Sequence, residues 1–168
     1  MDLHLGPGVA PSWSDRPRLP YVEAVVQEVL RKSVLVTMPV ARVCNAAGGA
    51  TIAGHAVPRD AHVMANVGMV LTDERYFGDD AGAFRPGRHL GPDGELRQNK
   101  YMGVIFGSGT RRCVAETLAR MELFLFLTGI LARFRLETCE GFVLDEDQPR
   151  GFMSIPLPYK IKFVERGQ

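Results

Sequence analysis

FGSGTRRCVA, residues 106–115, places one cysteine, Cys113, at the end of a loop that contains two glycines. Gly107 and Gly109 allow backbone conformations that are closed to other residues, so the chain can approach a flat ligand closely. A long apolar helix pattern follows, and the unpaired N–H groups at the start of a helix stabilise a thiolate. The stretch therefore predicts that Cys113 ligates a metal and that Arg111 faces an anionic group on the ligand's rim.

Composition narrows the class of protein. The chain has 168 residues, of which 46% are apolar, so it can bury a sizeable core. A formal net charge of +1 gives no electrostatic reason to expect binding to nucleic acid or acidic lipid. Three cysteines without a C-x-x-C pair indicate neither a disulfide framework nor a structural zinc site. Reduced thiols and a cytosol-facing protein are expected, with Cys44 and Cys139 as small buried apolar residues.

The most apolar run of the chain is LFLFLTGILA at residues 123–132. It is too short to cross a bilayer, which takes about 20 residues. The N-terminal segment is rich in Gly and Pro and has no apolar stretch of signal-peptide length. We interpret the apolar run as a buried core helix, and we expect the chain as written to be neither secreted nor membrane-spanning.

Hydrophobic periodicity predicts a succession of elements. They are a turn-rich lead-in over 1–20, a helix over 21–32, a small sheet over 40–67, a meander over 72–105, the cysteine loop over 106–115, a long helix over 116–134 and a terminal hairpin over 137–168. Prolines are expected to block regular structure in the lead-in. An irregular meander of this length is unusual inside a compact domain, so another part of the chain must hold it in place.

Three charged residues are candidates for that contact. Glu28 and Arg31 lie three residues apart on one face of the first helix, and Arg88 lies in the meander. Taken singly they suggest an exposed ion pair and a solvated arginine. Taken together they suggest a cluster, because a carboxylate between two guanidiniums can accept several hydrogen bonds. Elsewhere we expect a solvated turn at Asp79 and Asp80, and surface or loop positions for the histidines: His4, His55, His62 and His89.

Three motifs, in this order, resemble those of the cytochrome P-450 family. FGSGTRRCVA resembles the haem-binding loop F-x-x-G-x-R-x-C-x-G/A, EVLR at residues 28–31 resembles the E-x-x-R helix, and FRPGR at residues 84–88 resembles the F-x-P-x-R loop. Neighbouring stretches are similar to animal microsomal members of family 2. The resemblance implies a mainly α fold with small β-sheets. This chain would be the C-terminal, haem-proximal portion of one such domain, and thus an incomplete domain.

The resemblance also implies roles for single residues. Cys113 would be the axial ligand of the haem iron, with Phe106 packed beside its sulfur and Gly109 permitting the tight loop. Arg111 would meet one haem propionate and Arg42 the other. Glu28, Arg31 and Arg88 would form a structural triad rather than take part in chemistry. His89 departs from the family pattern, because an aromatic residue often follows the loop's arginine.

The activity that the resemblance implies is monooxygenation of a lipophilic small molecule by haem b, with electrons from NADPH through a reductase. Cytochrome b5 is a second candidate donor, and Arg112 is either part of the docking surface or a solvated arginine. Residues 36–40 and 152–154 would border the substrate pocket or simply pack in the core. A parent protein would lie on the cytosolic face of the endoplasmic reticulum, held by an N-terminal anchor that this chain lacks.

An alternative follows from a missing motif. The family's oxygen-activation helix carries an acid/alcohol pair within an A/G-G-x-x-T pattern, and these 168 residues contain no stretch that combines the two. The chain would then be a truncated, catalytically inactive fragment, a relic or an interaction domain.

Overall fold

The computed structural model describes residues 10–142 and 153–166. Within these residues the helices are α1 (Pro20–Ser33), α2 (Val67–Thr72), α3 (Glu74–Phe77) and α4 (Glu116–Arg133). The strands are β1 (Arg42–Val43), β2 (Ala50–Ile52), β3 (His55–Val57), β4 (His62–Val63), β5 (Phe134–Thr138) and β6 (Ile161–Glu165). The described strands form three separate antiparallel pairs, β1 with β4, β2 with β3 and β5 with β6.

Helix α1 runs through the middle of the described structure and lies close to its predicted bounds of 21–32. Pro20 stands at its start, where the missing N–H is not needed and the fixed φ suits a helix. The helix ends at Ser33, because Val34 adopts a left-handed backbone conformation with a φ of 35°. One group of core residues packs at each end of α1: Leu19, Val22 and Phe124 at its start, and Val34, Val67, Leu71, Phe77, Ala81 and Met102 beyond its end.

The lead-in contains regular structure that the prolines were expected to prevent. Residues Trp13–Arg18 form a 3-10 helix, with Pro17 inside it. The prediction of irregular structure is therefore wrong over this segment, while residues 1–9 lie outside the described residues. The Trp13 ring stands edge-on to Phe124 of α4, with centroids 5.7 Å apart. This aromatic contact packs the segment against α4.

The predicted small sheet at 40–67 is two separate strand pairs, and the predicted meander contains short helices. α2 has six residues and α3 four, so neither is long enough to show helical periodicity in the sequence. Their starts are capped by Asn66 and Asp73, whose side chains accept hydrogen bonds from the backbone N–H groups of Met69 and Arg75. Two 3-10 helices, Pro86–His89 and Lys100–Phe106, complete the segment.

Helix α4 is long, as predicted, but only one of its faces is covered. Phe124 and Thr128 are fully buried, whereas Leu118 and Phe126 are 57% and 69% exposed. The interpretation as a buried core helix is thus wrong for the outer face, which is apolar and open. No helix among the described residues has both the length and the apolar character needed to cross a membrane.

The terminal hairpin begins at Phe134, three residues before its predicted start. Phe134 pairs with Glu165 and Thr138 with Ile161, and the rings of Phe134 and Phe163 pack edge-to-face 5.6 Å apart. Residues 143–152, which include Phe152 of the predicted pocket border, and residues 167–168 lie outside the described structure.

We expect Phe124→Ala to lower the free energy of unfolding by about 3–5 kcal/mol, because it opens a cavity at a fully buried ring. The matched control is Phe126→Ala, two residues along the same helix, whose ring is 69% exposed. The control should change stability by less than about 0.5 kcal/mol. Guanidinium unfolding followed by circular dichroism measures both, and equal losses would contradict the assignment of the core.

Candidate functional site

A fully buried carboxylate, that of Glu28 on α1, lies at the centre of the most densely bonded cluster of side chains. Its Oε1 accepts hydrogen bonds from Arg31 Nη2 at 2.8 Å, the Arg85 backbone N–H at 2.8 Å and Arg88 Nε at 3.0 Å. Its Oε2 accepts one from Arg31 Nε at 2.9 Å and lies 2.8 Å from His89 Nε2. Both oxygens are thereby saturated, which compensates for burying the charge.

Arg31 binds the carboxylate and the backbone of the following segment at the same time. Its Nη1 donates to the carbonyl oxygens of Leu71 at 2.7 Å and Ala81 at 2.8 Å, and its Nη2 also donates to that of Ala83 at 3.1 Å. The side chain is fully buried. All the N–H donors of this guanidinium therefore have acceptors, so a charged group lies in the interior without an unsatisfied hydrogen.

Arg88, like Arg31, donates hydrogen bonds both to Glu28 and to backbone carbonyl oxygens. Besides Glu28, it donates to the carbonyl oxygens of Phe77 at 2.6 Å, Asp80 at 2.8 Å and Ala83 at 3.2 Å, and to the Asp80 carboxylate at 2.9 Å. The side chain is 5% exposed. The structure thus brings Glu28, Arg31 and Arg88 together, and the interpretation as an exposed pair with a separate solvated arginine is wrong.

Two neighbours of this cluster correct expectations from the sequence. His89 is buried, with 2% of its surface exposed, rather than lying at the surface. Asp80 binds Arg88 and Arg85, so it does not belong to a simple solvated turn. His89 meets its partner across 61 residues and Asp80 meets its partners within eight, but no pattern in the sequence identified either contact. His55 and His62 are exposed, as expected, and His4 lies outside the described residues.

The cluster favours ionised carboxylates. Burial alone would raise the pKa of Glu28, but hydrogen bonds from Arg31, His89 and the Arg85 amide, with the charge of Arg31, hold this pKa far below its usual range. The pKa of Asp80 is also lowered: burial opposes the shift, and hydrogen bonds from Arg88 and Arg85 outweigh it. Glu28 is therefore a carboxylate at every physiological pH and can only accept hydrogen bonds.

The cysteine loop is held by a local bond and by glycine conformations. The Cys113 backbone N–H donates to the Phe106 carbonyl oxygen at 2.8 Å, which closes the loop. Gly107 and Gly109 have φ angles of 77° and 67°, in the left-handed region that favours glycine. Cys113 itself is a free, exposed thiol that lies three residues before α4 begins. These features fit a thiolate ligand for a group bound against the loop.

Of the other residues predicted to bind the ligand, Arg111 and Phe106 belong to this loop, whereas Arg42 lies on β1. Arg111 is exposed at the end of a short 3-10 helix, and Arg42 is exposed on β1. The Phe106 ring lies 5.0 Å from the guanidinium carbon of Arg120 in a cation–π contact. Cys44 and Cys139 are only partly buried, so the expectation of fully buried thiols is wrong.

Cys113 also lines a surface cavity of about 320 Å³ with charged walls. Glu116 accepts hydrogen bonds there from Arg112 at 2.6 Å and from Arg120 at 3.0 Å. The bond from Arg112 is the main cause of a lowered pKa of Glu116, and Arg120 adds to it against partial burial. Arg16, which also lines the cavity, pairs with Glu23 at 3.4 Å. Arg112 is therefore an exposed residue at the loop's rim that is ion-paired with Glu116.

Comparison with known proteins identifies the family. The family model described as Cytochrome P450 matches residues 1–163. Cytochrome P450 2S1 of Mus musculus is 42% identical over 165 residues, which covers 97% of this chain and 32% of that protein. Cytochrome P450 2C8 of Homo sapiens is 33% identical over 166 residues, covering 98% of this chain and 33% of that protein.

The chain belongs to the cytochrome P450 family. The recognition made from three short motifs is thereby confirmed, including the likeness to family-2 members. Cytochrome P450 2A5 of Mus musculus, 33% identical over 168 residues, is a third relative of this kind. The chain spans about a third of the length of the curated relatives that it matches.

Two segments that were considered as a pocket border in this cytochrome P450 chain meet in the structure. The Ser154 backbone N–H donates to the Leu35 carbonyl oxygen at 3.0 Å, and Val36 forms a β-bridge with Met153. Val36 and Met153 are 37% and 48% exposed, so their apolar surface is available for contact. Residue 152 lies outside the described part of the chain.

We expect Glu28→Gln to lower the free energy of unfolding near neutral pH by about 3–5 kcal/mol, because two buried guanidiniums lose their countercharge. A lowered folded-state pKa stabilises the fold above the ordinary glutamate pKa of 4.5, and this contribution is lost as the pH falls towards the folded-state pKa. The difference between wild type and variant should therefore shrink in acid.

Denaturant unfolding of both proteins at several pH values between about 7 and about 3 measures this difference. Glu95→Gln is the control, because the Glu95 residue is exposed and belongs to no described ion pair. A stability gap that stays constant over the whole pH range would contradict the assigned role of the Glu28 charge.

Proposed function

We propose that this chain binds haem b and that the Cys113 thiolate is the axial ligand of the iron. The observation that carries the proposal is a free, exposed thiol on a glycine-shaped loop, three residues before α4 begins. The membership in the cytochrome P450 family makes haem the group that this donor would meet.

Different residues of the chain would have different roles in holding the haem. The bond from the Cys113 amide to Phe106 fixes where the sulfur stands, and the two left-handed glycines keep side chains off the approach of a flat ring. Arg111 and Arg42 would each neutralise one propionate, since both guanidiniums are exposed. Glu28, Arg31 and Arg88 would hold the segment before the loop without touching the haem.

The reaction we propose is insertion of one oxygen atom of O₂ into a lipophilic organic substrate, the other atom leaving as water. A thiolate-ligated haem, when bound, supplies this chemistry because the sulfur donates electron density that favours O–O cleavage. The exposed apolar surface at Val36 and Met153 supports a lipophilic substrate, because it would contact an apolar molecule without burying unpaired polar groups.

Electrons would come from NADPH through a reductase, with cytochrome b5 as a second donor. The cavity beside Cys113 is lined by one carboxylate, Glu116, and three arginines, and the excess of positive charge suits an acidic docking partner: Arg16, Arg112 and Arg120. The parent protein would act on the cytosolic face of the endoplasmic reticulum. Nucleic acid is not an expected partner, since the net charge is only +1.

The second candidate function is that of an inactive fragment, and one observation favours it. Val114, next to the proposed ligand, is fully exposed, and the outer face of α4 is apolar and open. A haem site that handles oxygen would need apolar walls that exclude water, whereas these apolar residues are open to solvent. We therefore expect the 168-residue chain alone to show no turnover of a lipophilic test substrate with reductase and NADPH. Measured turnover would overturn the inactive-fragment interpretation.

The decisive measurement for haem ligation is the absorption spectrum of the reduced, carbon monoxide-bound protein after haem loading. We expect a Soret band at the position typical of thiolate-ligated haem, because Cys113 offers an accessible sulfur. Cys113→Ser should lose this band, since a hydroxyl does not replace the thiolate. Cys139→Ser is the matched control and should keep it. A wild-type protein without the band, or a Cys113→Ser protein that retains it, would refute the proposal.

A further inference from the structure

His89 is the member of the Glu28 cluster that the family motifs do not account for. Its ring is almost fully buried, and its Nε2 lies 2.8 Å from Glu28 Oε2. Within residues 10–142 and 153–166, the only other hydrogen bond to that oxygen comes from Arg31 Nε, whereas Oε1 accepts three. His89 therefore supplies half of the hydrogen bonds to one side of a buried charge.

The direction of this hydrogen bond follows from the carboxylate. An ionised Glu28 can only accept, so the His89 ring must carry a hydrogen on Nε2. The other charges around the carboxylate are Arg31 and Arg88, with Asp80 bound to Arg88 and to the exposed Arg85. A ring with a hydrogen on Nε2 adds a donor to this group whether or not it also adds a charge.

The backbone of His89 also contacts the segment that follows it in the chain. The His89 carbonyl oxygen accepts a hydrogen bond from the Arg97 backbone N–H at 2.8 Å. Leu90 and Leu96 form a β-bridge immediately beyond it, so residues 90–96 make a small closed loop. His89 thus joins the base of this loop to α1, 61 residues earlier in the chain. The segment that continues from Arg97 leads through Lys100–Phe106 into the cysteine loop.

We propose that His89 is a positioning residue: its Nε2–H fixes the Glu28 carboxylate and thereby ties the segment before the cysteine loop to α1. An aromatic residue at this position would fill the same space without donating a hydrogen bond. The donor is what this chain adds to the three-residue cluster. The link to the cysteine loop rests on the proposed function, but the bond between His89 and Glu28 does not.

Two substitutions separate the donor from the space that the ring fills. His89→Gln keeps an N–H at the same number of bonds from the backbone, whereas His89→Phe keeps a ring and removes the donor. We expect the unfolding equilibrium constant in denaturant titrations to rise about tenfold or more in His89→Phe, as for the loss of a hydrogen bond to a buried charge. In His89→Gln it should rise by no more than about threefold.

Each other outcome of this comparison overturns the proposal. A His89→Phe protein as stable as wild type would make the ring a space-filling residue. Equal losses in both variants would show that the donor is not what matters. Nitrogen-15 NMR of the ring provides a readout that stability does not affect: we expect the hydrogen on Nε2, and a neutral ring with its hydrogen on Nδ1 would refute the bond.

The haem-loaded protein tests the link to the cysteine loop. In the reduced, carbon monoxide-bound spectrum, the share of haem in the thiolate-ligated band should fall in His89→Phe and return in His89→Gln. An unchanged share in His89→Phe would overturn this link. If wild type itself lacks the band, the proposed function fails, while unfolding and NMR still decide whether His89 holds Glu28.

Discussion

A single buried carboxylate organises this chain. Glu28 would be costly to bury alone, and the fold compensates with two guanidiniums, a backbone amide and a histidine. The guanidiniums in turn satisfy carbonyl oxygens between Leu71 and Ala83. A long segment with little regular structure leaves many backbone groups without partners, and such groups are rarely buried unpaired. Because Arg31 and Arg88 supply donors, this segment can pack against α1 without forming long helices or strands.

The sequence predicts the elements whose signals are local. Periodic apolar residues identify α1 and α4, and alternation identifies β6 within the terminal hairpin. The short helices α2 and α3 are not predicted, because six and four residues are too few to show a helical period. Burial of α4 is predicted wrongly for a different reason: an all-apolar run does not reveal which faces other elements cover. Phe124 is buried and Phe126 exposed, although their sequence surroundings are alike.

In the candidate site, too, the residues with local sequence signals are predicted and those without them are missed. The cysteine loop depends on near neighbours, since Cys113 bonds to Phe106 seven residues before it, and its motif is readable. The Glu28, Arg31 and Arg88 cluster is anticipated because three motif residues need a common partner. His89 is missed because it meets Glu28 only after the chain has folded back on α1. Asp80 is missed for another reason: Arg85 and Arg88 are near it in the sequence, but loop spacing does not show which side chains meet. A histidine beside a proline-containing turn carries no mark of a carboxylate that lies 61 residues away.

The span of these contacts also bears on how the chain reaches its fold. Arg31 meets Glu28 within one helical turn, whereas Arg85, Arg88 and His89 reach it across 57 to 61 residues. Closing so long a loop costs chain entropy before any contact compensates for it. Chains dominated by such distant contacts fold more slowly than those built from local ones. The Glu28–Arg31 pair needs no such closure, so we expect α1 to form before the meander binds to it and orders the approach to Cys113.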